Sequence, residues 1–300
     1  MTLIMIYLVI FAGGLVRAAG AGLGCPDWPR CFDRWIPPTS LDQLPAYIDP
    51  GSFNITLAWI DYSNRLAGVL GGIFVLILAG WSLIYIKRER WIPLIAFSVL
   101  FLTITEGWLG ALLVKSHLQP GMISLHLLLA LVIVSLLVFL CLRLRLPPVT
   151  DSSKTSPTMI AMTIFLGVII LANILLGTEL RGGLEQLAIE QPLNGKALWL
   201  QSLSPVKYIH SAVGILLFLG GLLLWPRRNQ FHSTGITIIE VLIPLLVGLL
   251  ALQTVLGEIM ILAALPQLMR LLHMWLATII WGLIVAVFSI IIPFRGKQNE

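Results

Sequence analysis

Long apolar runs separated by short polar segments are the dominant pattern along the chain. Eight of these runs are long enough for a helix to cross a hydrocarbon core about 30 Å thick. The pattern therefore predicts an all-α integral membrane protein with eight transmembrane helices. The predicted spans are Leu3–Gly20, Ala58–Ile86, Ile92–Val114, Met122–Leu142, Met159–Leu176, Val206–Trp225, Ile236–Leu262 and Leu268–Ile292.

The composition indicates that lipid covers most of the protein surface. Residues of the AVILMFWYC set make up 58% of the 300 residues and charged residues only 11%, whereas roughly a quarter of a soluble domain is charged. A soluble globular domain is therefore excluded. The formal net charge of +5 comes from basic residues scattered in short loops, so we expect no basic face that binds nucleic acid.

The positions of the basic residues predict the orientation of the spans. Because the number of spans is even, both termini lie on one side of the membrane. The loops after spans two, four and six, together with the C-terminal tail, contain ten of the 19 Lys and Arg residues. Short loops rich in basic residues are typical of the cytoplasmic side, so we expect both termini in the cytoplasm.

Two cysteines lie in the segment that joins spans one and two. Cys25 and Cys31 are the ends of the run Cys-Pro-Asp-Trp-Pro-Arg-Cys. A disulfide between them is chemically reasonable on an oxidising face of the membrane. A pair of free thiols and a metal site are the alternatives, although no histidine lies nearby to complete a set of metal ligands.

The chain contains an internal repeat, in which spans one to four and spans five to eight are two copies of one four-helix unit. Both copies begin at the same side of the membrane, which predicts a pseudo-two-fold axis along the membrane normal. The predicted organisation is an N-terminal half at 1–145, a cytoplasmic linker at 146–158 and a C-terminal half at 159–300. The matched segments are Gly-Gly-Leu-Val-Arg17 with Gly-Thr-Glu-Leu-Arg181, Tyr62–Gly68 with Tyr208–Gly214, and Leu109-Gly110 with Leu256-Gly257, the last two pairs at offsets of 146 and 147 residues.

Three histidines occupy positions related by this repeat. His210 begins span six and His273 begins span eight, so their imidazoles are expected at the same depth in the C-terminal half. Two imidazoles on facing helices are a common ligand pair for haem iron. The alternative is that each histidine only donates a hydrogen bond to a neighbouring helix. His126 in span four is the counterpart of His273.

The N-terminal half differs because Asn64 stands where its repeat partner has His210. An amide is a poor ligand for haem iron, so this half offers one imidazole, from His126, and an open face. Asp61 lies one helical turn before Asn64 and is therefore expected on the same face of the helix. This asymmetry favours an enzyme with Asp61 as the catalytic residue. The alternative is a structural ion pair between Asp61 and Arg65.

Four arginines lie at the helix ends opposite the predicted cytoplasmic side. Charge-assisted hydrogen bonds to haem propionates would stabilise them there, and contacts with lipid headgroups are the alternative. These arginines are Arg17, Arg65, Arg181 and Arg270.

At these residues the sequence resembles the haem A synthase family over essentially the whole chain. The resemblance is carried by the run from Gly13 to Cys31, by Asp-Tyr-Ser-Asn-Arg65 and by the repeated histidines. It implies eight spans in two four-helix halves, and oxidation of the C8 methyl group of haem O to the formyl group of haem A. Many members have histidine at the position of Asn64 and glutamate at the position of Asp61.

The resemblance also implies roles for individual residues. His210 and His273 are expected to hold a haem b cofactor. In the N-terminal half, His126 is expected as an axial ligand of the substrate haem O, with Asn64 and Arg65 beside it. Cys25 and Cys31 are expected to form a functional disulfide pair.

These observations predict a haem A synthase of the bacterial inner membrane. Its expected partners are haem O, haem A, a haem O synthase, the assembly machinery of a terminal oxidase and an electron-transfer protein, and it could form a homo-oligomer. The alternative functions are a di-haem cytochrome that exchanges electrons with quinone, and a transporter or haem-delivery protein.

Overall fold

The computed structural model describes residues 1–145, 156–191, 195–228, 238–263 and 265–292. These residues form α-helices joined by loops and short 3₁₀ turns, and they contain no β-strand. The nine helices of this described part are α1 Thr2–Ala19, α2 Ile55–Ser82, α3 Trp91–Lys115, α4 Pro120–Arg145, α5 Pro157–Glu190, α6 Lys196–Ser202, α7 Ser204–Leu224, α8 Ile238–Leu262 and α9 Gln267–Ile291.

Eight of these helices are long and apolar enough to span a membrane, and the short α6 is the exception. The predicted all-α membrane protein with eight spans is therefore confirmed. Many large apolar side chains on these helices are exposed, for example Leu66, Val69 and Ile73 on α2. A surface of this kind suits contact with lipid, because hydrocarbon does not penalise apolar groups as water does.

The ends of the first two helices follow local sequence signals. α1 ends before Gly20, whose positive φ of 73° is the left-handed conformation that glycine adopts most readily. α2 begins three residues earlier than the predicted Ala58, because the side chain of Asn54 accepts a hydrogen bond from the backbone N–H of Leu57 at 3.1 Å. This is the interaction by which a capping residue starts a helix.

α5 is longer than the fifth span was predicted to be. It continues from the predicted end at Leu176 to Glu190. The added segment ends in Leu-Glu-Gln-Leu-Ala-Ile-Glu, which contains good helix formers and no proline. Part of the long polar segment between spans five and six is therefore helical.

The chain divides into two compact units, residues 1–137 and 138–300. The boundary lies within α4, before the predicted end of the N-terminal half at residue 145. In the first unit, α1 packs against α2, and α2 packs against α3. Most of the predicted linker, residues 146–155, lies outside the described residues, and α5 already begins at Pro157.

The second unit contains a closed ring of four helices. α5 packs against α7 and α9, and α8 packs against the same two helices. Its core is formed by apolar side chains from all four helices. Fully buried members include Met159, Leu224, Ile239, Ile243, Leu246 and Ile291. The ring places α7 and α9 on either side of α8, so residues at the starts of α7 and α9 can face the same interior space.

Candidate functional site

The imidazoles of His210 and His273 lie next to each other inside the second unit. Each histidine is six residues after the first residue of its helix, Ser204 in α7 and Gln267 in α9. Their ring centres are 6.2 Å apart, and the ring planes are inclined by 66°. Helices of this second unit therefore bring the two predicted ligands together at the same distance from their helix starts.

The separation of the two rings suits one iron atom between them. A bond from a metal to an imidazole nitrogen is about 2.0 Å long, and a nitrogen lies roughly 1.1 Å from the centre of a ring with bonds of about 1.33 Å. Two imidazoles on opposite sides of one metal thus have centres about 6.2 Å apart, which matches His210 and His273. Within the described part of the chain, neither Nδ1 atom has an aligned hydrogen-bond partner.

Glycines leave room beside these two imidazoles. A Cβ atom added to Gly177 on α5 would lie 2.9 Å from Cε1 of His210, and one added to Gly257 on α8 would lie 3.2 Å from Cε1 of His273. Contacts this short are closer than van der Waals contact. Any side chain at these glycines would displace the rings, so the two glycines keep the space in which the imidazoles lie.

The first unit repeats this arrangement with one change of residue. A Cβ atom added to Gly13 on α1 would lie 3.7 Å from Oδ1 of Asn64, and one added to Gly110 on α3 would lie 3.8 Å from Cε1 of His126. His126 is also six residues after the start of its helix, Pro120. The glycine pairs correspond in the repeat, so both units hold one polar side chain beside each glycine.

His126 has an acidic neighbour that the sequence did not assign to a site. Oε1 of Glu106 on α3 lies 3.2 Å from Nδ1 of His126. The signal for this pair was present in the repeat, because Glu106 precedes Gly110 by four residues on the same helix face. Asn64, in contrast, lines a groove of about 310 Å³ between α1 and α2.

Arg65 holds the cysteine-containing loop against α2. Its Nη1 donates to the backbone carbonyls of Asp27 at 2.7 Å and Arg30 at 2.8 Å. Its Nη2 donates to the carbonyl of Cys25 at 3.1 Å and to Oδ2 of Asp61 at 3.1 Å. With a further bond from Nε to Asp61, all five N–H donors of the guanidinium group have protein acceptors. The predicted contact of Arg65 with the substrate haem stays a prediction, and the structure adds a role in attaching the loop.

Asp61 also takes part in holding the loop against α2. Its side chain is 5% exposed, and Oδ2 accepts a hydrogen bond from the backbone N–H of Cys25 at 3.0 Å. The ion pair with Arg65, expected as the structural alternative for Asp61, is present. Asp61 and Asn64 are one turn apart on α2, but the carboxylate faces the loop, whereas the amide faces Gly13.

The two loop cysteines are bonded to each other. Cys25 and Cys31 form a disulfide, and both are completely buried against Phe32 and Ala58. Of the three alternatives left open by the sequence, the structure therefore contains the disulfide.

A hydrogen bond between two side chains stabilises the part of the loop that follows the disulfide. The exposed Tyr47 donates a hydrogen bond to the carboxylate of Asp33. This bond raises the pKa of the Tyr47 phenol above its ordinary value, because the acceptor stabilises the protonated form.

The remaining three arginines fall into two groups. In the second unit, Arg181 donates to Glu185 at 2.7 Å, and Arg270 lies close enough to both for their charges to act on it. Two guanidinium groups and the carboxylate of Glu185 thus lie in one region of the second unit. Arg17 belongs to the last turn of α1 in the first unit.

Comparison with known proteins finds similarity over nearly the full length. A family model described as cytochrome oxidase assembly protein (COX15-CtaA) matches residues 1–285. A haem A synthase of Alkalihalophilus pseudofirmus is 30% identical over 82% of this chain and 81% of its own length. One of Listeria welshimeri is 23% identical over all of this chain and 95% of its own length. These matches agree with the resemblance inferred from the motifs.

A further relative matches over a shorter stretch. The haem A synthase of Shewanella oneidensis is 30% identical over 59% of this chain. The match spans about half of that relative, 53% of its length.

Substitution of Gly24 should loosen the loop from α2. A Cβ atom at Gly24 would lie 2.3 Å from the backbone carbonyl oxygen of Leu57, so Gly24→Ala should destabilise the protein by about 1–3 kcal/mol. Gly22→Ala is the matched control, because its Cβ would meet only the flexible end of the Leu118 side chain. Thermal unfolding in detergent measures both variants, and an equal midpoint for the two would contradict this account of the loop.

The disulfide predicts the reactivity of the loop cysteines. Cys25 and Cys31 should resist alkylation in rapidly quenched membranes until a reductant is added, since neither sulfur is a free thiol. Mass spectrometry of the labelled peptides measures this, and Cys141, which is a free thiol in the structure, serves as the internal control under denaturing conditions. Complete labelling of both loop cysteines without reductant would show that they are not bonded in the cell.

Proposed function

This chain belongs to the cytochrome oxidase assembly protein family, and we propose that it is a haem A synthase that oxidises haem O to haem A. The observation that carries the proposal is the asymmetry of the two units. Two imidazoles share one space in the second unit, whereas one imidazole and an amide occupy the repeat-related positions in the first. One haem site is thus suited to electron transfer and the other to a reaction.

The second unit is proposed to hold a resident haem b. The ring separation of 6.2 Å between His210 and His273, and the glycines beside both rings, support this assignment. Arg181 and Arg270 would then bind the propionates through charge-assisted hydrogen bonds. Haem b, when bound, supplies reversible one-electron transfer. The residues themselves orient the group and exclude other ligands from its iron.

The first unit is proposed to bind haem O as the substrate. His126 would be its axial ligand, and Arg17 at the end of α1 would reach a propionate. Asn64 cannot replace a second imidazole as a strong ligand, so the opposite face of the substrate stays accessible. Each of two hydroxylations of the C8 methyl group would replace a C–H bond with a C–OH bond from water and pass two electrons to the proposed electron-transfer partner and two protons to solvent. The resulting geminal diol would lose water to leave the formyl group.

Asp61 is proposed to act on the reacting methyl group. The support is a carboxylate that is 5% exposed and accepts three hydrogen bonds, from the N–H of Cys25 and from Nε and Nη2 of Arg65. It lies at the same end of α2 as Asn64 and faces the loop. A fixed carboxylate can stabilise positive charge that develops on the methyl carbon, and it does so best in a site that excludes water. The hydrogen bonds from Cys25 and Arg65 would orient the carboxylate for this purpose.

The cellular setting is part of the same proposal. The chain would lie in the bacterial inner membrane with both termini in the cytoplasm and the disulfide on the outer face. A haem O synthase would supply the substrate, and the assembly machinery of a terminal oxidase would receive haem A. An electron-transfer protein and a second copy of the chain are further proposed partners.

The composition of the bound haems tests the function. Purified protein should contain haem b together with variable amounts of haem O and haem A, because substrate and product exchange whereas a cofactor does not. Extraction and chromatography of the haems measure this. Two permanent haems in a fixed ratio, with no haem O or haem A, would instead indicate a di-haem cytochrome.

The assignment of His210 and His273 as haem b ligands is tested by absorption spectroscopy, together with chromatography of the extracted haems. His210→Leu and His273→Leu should each abolish the low-spin haem b spectrum and the formation of haem A. His117→Leu is the matched control, since His117 lies in the loop between α3 and α4 and should leave both unchanged. A normal low-spin spectrum in both ligand variants would overturn the assignment.

Substitution of Asp61 separates its catalytic and structural roles. Asp61→Asn should preserve haem b content and stop haem A formation, with haem O or a hydroxylated intermediate accumulating, whereas Asp61→Glu should retain activity. Asp27→Asn is the matched control, because that carboxylate accepts hydrogen bonds from the backbone N–H groups of Phe32 and Asp33 in the loop. A parallel loss of protein yield and haem b in Asp61→Asn would indicate the structural role, and wild-type turnover would exclude the catalytic one.

A further inference from the structure

Glu106 and His126 form a polar pair between α3 and α4 within the first unit. Oε1 of Glu106 lies 3.2 Å from Nδ1 of His126. In the described part of the chain, Oε2 of Glu106 has no hydrogen-bond partner, and Nδ1 of His126 has none that is aligned. The torsion that turns a carboxyl group is soft, so a small rotation aligns the pair as an Nδ1–H···O hydrogen bond.

The position of Glu106 favours a specific contact with His126, because an unpaired acidic side chain inside the membrane costs free energy. Glu106 lies in the middle of a membrane-spanning helix, and its side chain is only 17% exposed. An acidic side chain at such a place is costly and requires a partner inside the protein. His126 is the polar group that the structure places within reach of it.

The second unit has no acid at the corresponding position. The repeat offset of 147 residues relates Glu106 to Gln253 and His126 to His273. Nε2 of Gln253 donates to the backbone carbonyl of His273 at 3.1 Å, so this side chain bonds to the helix backbone and carries no charge. The repeat-related positions therefore carry an acid beside the imidazole of His126 in the first unit and an amide beside His273 in the second.

We propose that Glu106 is a positioning residue, which accepts a hydrogen bond from Nδ1–H of His126 and thereby directs Nε2 to the iron of the substrate haem. The proposal rests on the proposed function, in which His126 is the axial ligand. A carboxylate bonded to the second ring nitrogen fixes the tautomer and orientation of a metal-binding imidazole and increases its electron donation to the metal. Because Asn64 supplies no second imidazole, this donation determines the electron density at the substrate iron.

The experiment measures the iron–imidazole stretching frequency of the full chain loaded with haem O and reduced, by resonance Raman spectroscopy. The band arises from a five-coordinate haem with one imidazole, so a haem held by His210 and His273 does not contribute to it. Glu106→Gln should shift the band to lower frequency and weaken haem O binding by about 10- to 100-fold. Glu258→Gln is the matched control, because it removes an acid of α8 in the second unit, where Glu258 accepts a hydrogen bond from Ser211.

The outcomes separate this inference from the proposed function. His126→Ala should remove the band, and absence of the band from the wild-type protein would show that His126 is not the ligand. If the band is present and Glu106→Gln leaves its frequency unchanged, the role of Glu106 is wrong even though the ligand assignment stands.

A second measurement does not depend on how the Glu106 variant folds. ¹⁵N NMR of the haem-free wild-type chain, with His126 assigned through a His126→Gln variant, identifies which ring nitrogen carries the proton. Protonation at Nδ1 is expected, because Glu106 is its acceptor. Protonation at Nε2 alone would overturn the inference, since the carboxylate would then have no proton to accept.

Discussion

Hydrocarbon provides no hydrogen bonds, and this constraint determines which polar side chains the membrane-spanning helices can carry. Several satisfy themselves within their own helix, as Ser135 does with the carbonyl of Leu131 and Thr163 with that of Met159. An imidazole cannot do this as easily, because its donor and acceptor point in opposite directions. The three repeat-related histidines therefore depend on groups from other helices, as His126 does on Glu106, and a haem iron is the partner proposed for each of them.

In both units a glycine lies beside each of two polar side chains, and the polar side chains differ between the units. In each unit a glycine on a neighbouring helix faces the polar side chain, so close approach is maintained while the side chain itself changes. Asn64 stands at the position of the His210 imidazole, and the acid Glu106 at the position of the Gln253 amide, so the two units differ in the chemistry of these positions. Under the proposed function, duplication of a four-helix unit would separate two requirements that conflict in a single haem site, stable coordination and an open face.

The spans and the repeat could be predicted from the sequence because both depend on local pattern. Apolar run length sets the number of helices, and the offset of 147 residues is visible in segments such as Leu109-Gly110. The attachment of the loop by Arg65 could not be predicted, because its acceptors are carbonyls of residues 35 to 40 positions earlier. Their directions depend on the turn conformation of the loop, to which the side-chain pattern gives no clue. The orientation of Asp61 toward the loop could not be predicted for the same reason, because its backbone donor, the N–H of Cys25, lies 36 residues earlier in the chain.

The dependence of the loop on Arg65 has a consequence for biosynthesis. The chain is synthesised from its N-terminus, and Cys25 and Cys31 precede Arg65 by 40 and 34 residues, so both cysteines are made before Arg65. The carbonyls of Cys25, Asp27 and Arg30 have no guanidinium to accept from until α2 has been synthesised and has entered the membrane. Closure of the ring needs only residues up to Cys31, whereas attachment of the loop needs Arg65 on α2, so the two are separate structural requirements.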